Sequence, residues 1–182
     1  MTLYADLGGF DAIVGICVRW HELCLADPEA AHPFEGDLHP RHDERLAAYL
    51  AEATGGPALY TAGYGTESSM QRMHAGNGDH PDLDEACLRL FDRAVAVAVA
   101  VAESGVPENA GERLCAYFRA ATEAMRVYGG SRDDVPDGLP INMALAWTSL
   151  DLDRRIRGWP LPLAETGTRA CIDDRGLSAS AV

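Results

Sequence analysis

The chain has 182 residues, 47% of them apolar, with 28 acidic and 15 basic side chains and a formal charge of −13. That length and apolar share suit one packed domain with or without an appendage, and exclude wholesale disorder. So acidic a surface repels phosphate backbones and anionic lipid, which argues against nucleic-acid and membrane partners.

Leu3 to Gly9 reads as a short helical turn stopped by two glycines. From Asp11 to Ala26, apolar residues at 13, 16, 17, 20, 23 and 24 form a helical stripe that ends before Asp27-Pro28. Pro33 to Gly36 is a corner, and a third helix is predicted from about Pro40 to Thr54, closed by Gly55-Gly56-Pro57. Residues 58 to 81 are loop-rich, with one short helix predicted over Ser68 to His74. A long helix follows from Asp82 to Ser104, with 83, 87, 90, 91, 94, 98 and 101 in one stripe. Pro107 then opens a last helix carrying Leu114, Phe118, Ala121, Met125 and Tyr128.

After Tyr128 the periodicity breaks, which divides the chain into a domain over 1–128 and an extension over 129–182. Within the extension, about 141–152 reads as helical, and 160–182 as poorly ordered. The whole is all-α.

Five cysteines without a CxxC pair suit a reducing, cytoplasmic setting more than a disulfide framework. Asp6 and Asp11 stand where a signal peptide would carry basic residues. The longest apolar run, Ala94 to Ala102, is too short to span a bilayer.

Six histidines hold the chemistry: His21, His32, His39, His42, His74 and His80. His21, His42 and His74 fall on inward-facing helical stripes, where an imidazole needs a hydrogen-bond partner or a metal. Taken singly, each reads better as a satisfied core or surface histidine than as a ligand. Zinc would want HExxH or CxxC and a di-iron bundle paired Glu-x-x-His, and the chain has none of these. The His39-Pro40-Arg41-His42 pair is a weak metal candidate. Haem needs one strong axial imidazole and an apolar pocket built from separate helices.

Several motifs run in order along the chain: Leu3-Tyr4-x-x-Leu7-Gly8-Gly9, Ala26-Asp27-Pro28 with Pro33-Phe34, and Leu50 to Pro57. Tyr60, Tyr64-Gly65 and Met73-His74-Ala75-Gly76 complete them. In that order and spacing, the chain from Leu3 to about Tyr128 resembles a truncated haemoglobin, most like group II. The resemblance implies a 2-on-2 helical sandwich holding haem b (iron protoporphyrin IX), with His74 as the proximal ligand. Phe34 matches the aromatic wedged against the haem. His42, Leu46 and Tyr49 match successive distal-helix positions, and Met70 and Met73 join the pocket beside His74. His21 stands where the family usually has a tyrosine, and Cys87 where group II members usually carry a tryptophan.

Those two departures remove the usual donors to bound ligand and leave three functions open. The first is a haem globin binding dioxygen, nitric oxide or carbon monoxide, with redox or nitric-oxide-detoxifying activity. The second is a haem-dependent oxidoreductase acting on peroxide or a small organic substrate. There His21 or His42 serves as acid–base group or sixth iron ligand, and an electron donor is required. The third is a haem-free interaction protein, against which His74 and Phe34 argue. For the extension, a cover over the pocket mouth, a homodimer contact and a loose appendage stay open.

Overall fold

A computed structural model describes residues 2–36, 38–102, 106–107 and 109–141; the expected helix over about 141–152 and the expected loose end over 160–182 lie outside them, apart from Ile141. Among the described residues seven α-helices follow one another: α1 (Leu3–Asp6), α2 (Phe10–Leu25), α3 (His42–Ala53), α4 (Leu59–Gly63), α5 (Glu67–His74), α6 (Pro81–Val101) and α7 (Ala110–Met125). Short 3₁₀ turns occur at His32–Phe34, Arg126–Tyr128 and Arg132–Asp134. No strand occurs among the described residues, and no helix there is long and apolar enough to cross a membrane.

The architecture is a helical sandwich, as the resemblance implies: α2 packs on α3, α6 packs on α7, and α2 crosses α6 to join the two pairs. Several helices follow from local chemistry. Gly9 caps α2 at a φ of 86°, a conformation that side chains with a Cβ rarely adopt. The α2 stripe of Ile13, Ile16, Cys17, Trp20 and Cys24 is wholly buried. Pro81 opens α6, where its missing N–H costs nothing. Thr66 and Ser69 close a reciprocal capping box over α5. Along α3 every residue from Ala47 to Ala53 is buried, because four alanines let neighbouring segments close around the helix.

Trp20 anchors the centre. Its ring meets Phe34, Phe91 and Phe118 edge-on at centroid distances of 5.5, 6.0 and 5.4 Å, and its indole N–H donates to the Cys87 carbonyl at 2.9 Å.

Helix α4 falls in a stretch that the sequence presents as loop. Its first turn is held from outside: the buried Glu52 carboxylate on α3 accepts the Tyr60 and Thr61 backbone N–H groups at 3.0 and 2.9 Å, and the Thr61 hydroxyl at 2.7 Å. Glu52→Ala would leave these donors unmet beneath α4. We expect it to lower unfolding free energy by about 1–3 kcal/mol, measured by urea titration. A change below the error of the method would remove Glu52 from that role.

Gly55-Gly56 turns the chain under α1. A Cβ on Gly56 would stand 2.6 Å from the Tyr4 ring and 2.7 Å from the Ala51 carbonyl oxygen, and the latter is backbone that cannot swing away. Gly56→Ala is therefore expected to cost about 1–3 kcal/mol by overpacking, seen as a lower thermal midpoint. An unchanged midpoint would show that the turn is not tightly packed.

Residues past Tyr128 continue the packed body. Tyr128, Val135 and Leu139 bury against Ala75 in a second small cluster. The Gly76 N–H donates to the Tyr128 carbonyl and the Gly78 N–H to the Gly129 carbonyl, each at 3.0 Å. Ser68 donates to the Pro136 carbonyl at 2.8 Å and accepts the Leu139 N–H at 3.0 Å. Arg72 reaches the Val135 carbonyl at 2.8 Å and Asp137 at 2.7 Å. The segment up to Leu139 thus braces the helix that ends in His74.

Candidate haem site

His74 ends α5, and its Nδ1–H donates to the Met70 carbonyl one turn earlier at 2.9 Å. That bond fixes the tautomer and leaves the lone pair on Nε2. Crowding by surrounding protein lowers the His74 pKa below the ordinary histidine value, and the nearby charge of His42 lowers it further against the Met70 bond. The ring keeps exposed surface and is favoured in its neutral form. Met73 beside it is exposed, and the Arg45 guanidinium lies 4.0 Å from its sulfur.

A second group gathers where α2 meets the start of α3. The His21 ring lies 5.0 Å from Phe34 and 5.2 Å from His42, and Phe34 lies 5.8 Å from His42, all between centroids. Asp43 ties the two imidazoles together: one carboxylate oxygen accepts from Nδ1 of His21 at 2.8 Å and of His42 at 3.1 Å. A carboxylate only accepts, so both rings carry a hydrogen on Nδ1, and the lone pair of a neutral ring is then on Nε2. His21 Nε2 is buried and has no hydrogen-bond partner among the described residues. Such an orphaned atom is rare in a finished core, and it fits a site completed by a group the chain itself does not supply.

The other predicted residues are placed as follows. Leu46 packs half-buried against the main core, which also contains Met70. Tyr49 is buried, and its hydroxyl donates to Glu67 at 2.9 Å; Glu67 is 1% exposed and also accepts from Gln71 Nε2 at 2.8 Å. Burial pushes the Tyr49 hydroxyl well above its ordinary pKa, and the Tyr117 and Glu67 charges add to it, so it stays protonated. Cys87 sits half-buried on α6, and its sulfur accepts from the Cys24 thiol, which lowers the Cys87 pKa. The structure thus joins His21, Phe34 and His42 in one group and ties Cys87 to Cys24.

Asp43 and Arg45 are site neighbours that the sequence reading passes over. For Asp43 a signal existed: its adjacency to His42 at a helix start. His39 bonds the Arg41 backbone N–H at 3.1 Å and does not join His42 in a shared site. A separate cleft of about 570 Å³ opens between Glu52, Thr61, Thr66, Arg72 and Asp137, and no histidine lines it.

A helical sandwich with a neutral histidine at the end of α5, its Nδ1 held by the carbonyl one turn earlier, has the arrangement of a globin. The chain belongs to the bacterial-like globin family, whose model matches residues 2–126, and it is accordingly a haem-binding globin. Among solved structures it is similar to a haemoglobin from the thermophilic phototrophic bacterium Chloroflexus aurantiacus, at 30% identity and a TM-score of 0.57. That match covers 69% of this chain and 97% of the other. The fold also matches a thermostable haemoglobin from the actinobacterium Thermobifida fusca at 22% identity and a TM-score of 0.56, covering 76% of this chain and 100% of the other. A group II truncated haemoglobin from Bacillus anthracis matches at 22% identity and a TM-score of 0.52, covering 65% of this chain and 88% of the other. No curated protein matches the chain.

Proposed function

We infer that the protein binds haem b through His74 Nε2 and takes a diatomic ligand (dioxygen, nitric oxide or carbon monoxide) on the side of His21 and His42. The observation that carries this reading is His74 itself: a neutral imidazole with Nδ1 bound to the Met70 carbonyl and Nε2 left for an iron. Haem supplies the iron at which such a ligand attaches and whose redox state governs binding.

The protein's own part is orientation and polarity. Met70 fixes the His74 ring, and the segment up to Leu139 fixes α5. Phe34, Leu46 and Met70 supply apolar surface, while Arg45 carries positive charge suited to the carboxylates of haem b. On the distal side His21 takes the place of a phenolic donor. Its Nδ1–H is held by Asp43, so its Nε2 accepts a hydrogen bond, and donates one only when the ring is protonated. A distal side built this way stabilises bound dioxygen less than a tyrosine would.

The test is the absorption spectrum of the full-length protein with added haemin, followed by reduction under carbon monoxide. A Soret band that shifts on carbon monoxide addition, with a haem b pyridine haemochrome, is the expected result. No Soret band at stoichiometric haemin would refute the reading.

A further inference from the structure

We propose that His21, His42 and Asp43 form a binding site for one divalent transition-metal ion of the zinc class, separate from the iron held by His74. One donor atom from each of the three residues lies within 4.8 Å of the other two. Two imidazoles and one carboxylate are a donor set that such ions favour, with a further coordination position left open. Metal–ligand bonds of about 2.0–2.1 Å at tetrahedral angles separate neighbouring donors by about 3.3 Å. The two observed nitrogen–oxygen separations, 2.8 and 3.1 Å, need only a slight opening to reach that value.

Charge favours a cation as well. Among the described residues no arginine pairs with Asp43, whose ionic partners are the two imidazoles alone. The side chains are 18%, 28% and 29% exposed for His21, Asp43 and His42, open enough to admit an ion yet shielded enough to hold one.

Occupancy has a chemical consequence. A metal ion on Nδ1 of His21 displaces that hydrogen, and the neutral ring then carries its hydrogen on Nε2. The buried atom without a partner changes from acceptor to donor.

The experiment is calorimetric titration of the full-length, tag-free, haem-loaded protein with zinc ion, repeated on His74→Ala without haem. One equivalent is expected to bind in both, because the site contains no haem ligand; this separates it from the proposed haem function. Asp43→Ala and, independently, His21→Ala should weaken binding by about 100-fold or more, since even outer-shell partners of metal ligands are worth 10–100-fold. Circular dichroism establishes that each variant remains folded. Zinc binding equally in wild type and both variants would mean that surface carboxylates alone take the ion, and would overturn the proposal. Absence of a one-equivalent site in wild type would overturn it too.

Discussion

His74→Ala is expected to abolish the Soret band at stoichiometric haemin and to weaken haemin binding by more than about 100-fold, since an axial ligand is worth more than the outer-shell partners whose loss costs 10–100-fold. The two ends of one ring have different duties. Met70 holds Nδ1 at 2.9 Å, and no described residue bonds Nε2. The ring is kept neutral by its surroundings, so it offers iron a lone pair without first losing a proton. Because His74 lies at the exposed end of α5, its truncation should leave helix content unchanged by circular dichroism. Adding free imidazole at millimolar concentration should restore part of the spectrum by filling the vacated position. Undiminished haemin affinity in the variant would assign the iron to another residue, with His42 and His21 the first to examine.

Trp20→Ala carries the largest expected loss of stability. The residue is 7% exposed and meets Phe34 of the corner, Phe91 of α6 and Phe118 of α7, so one side chain joins all these elements. Removing a buried tryptophan costs about 3–5 kcal/mol, which lowers the thermal midpoint by roughly 10 °C or more in a domain of this size. Trp20→Phe keeps an aromatic ring and loses the N–H bonded to the Cys87 carbonyl at 2.9 Å together with part of the indole's volume. That variant should lose about 1–3 kcal/mol through the missing hydrogen bond and the smaller ring. A loss under about 1 kcal/mol for Trp20→Ala would contradict the view of this residue as the common anchor. Because Phe34 also touches His21 and His42, haem affinity should fall alongside stability in Trp20→Ala and much less in Trp20→Phe.

Much of the fold is legible in the chain because the helices carry their own signals. The α2 stripe, the proline at the head of α6 and the Thr66 cap on α5 are local, and the helices predicted up to Tyr128 lie within a few residues of their observed bounds. Where the signals are not local, sequence reading fails. Helix α4 has no capping side chain of its own and depends on Glu52, which precedes it across the Gly55-Gly56-Pro57 turn. Past the break in periodicity at Tyr128, what holds residues 135–139 is distant: Ser68 and Arg72 on α5, and the burial of Val135 and Leu139 with Ala75.

By itself the sequence determined the helical class and the position of His74, since periodicity, caps and an ordered motif set are properties of neighbouring residues. It also marked His21 and His42 as inward-facing. Only the tertiary structure decided what those two histidines can do. Asp43 meets His21 across 22 positions of chain, and that single contact fixes the tautomer, orphans one buried nitrogen and assembles three metal donors. The pairing of Cys24 with Cys87 likewise arises where α2 crosses α6. Such contacts depend on how helices cross, and a helix records in its sequence which face it buries, not which residue it will meet there.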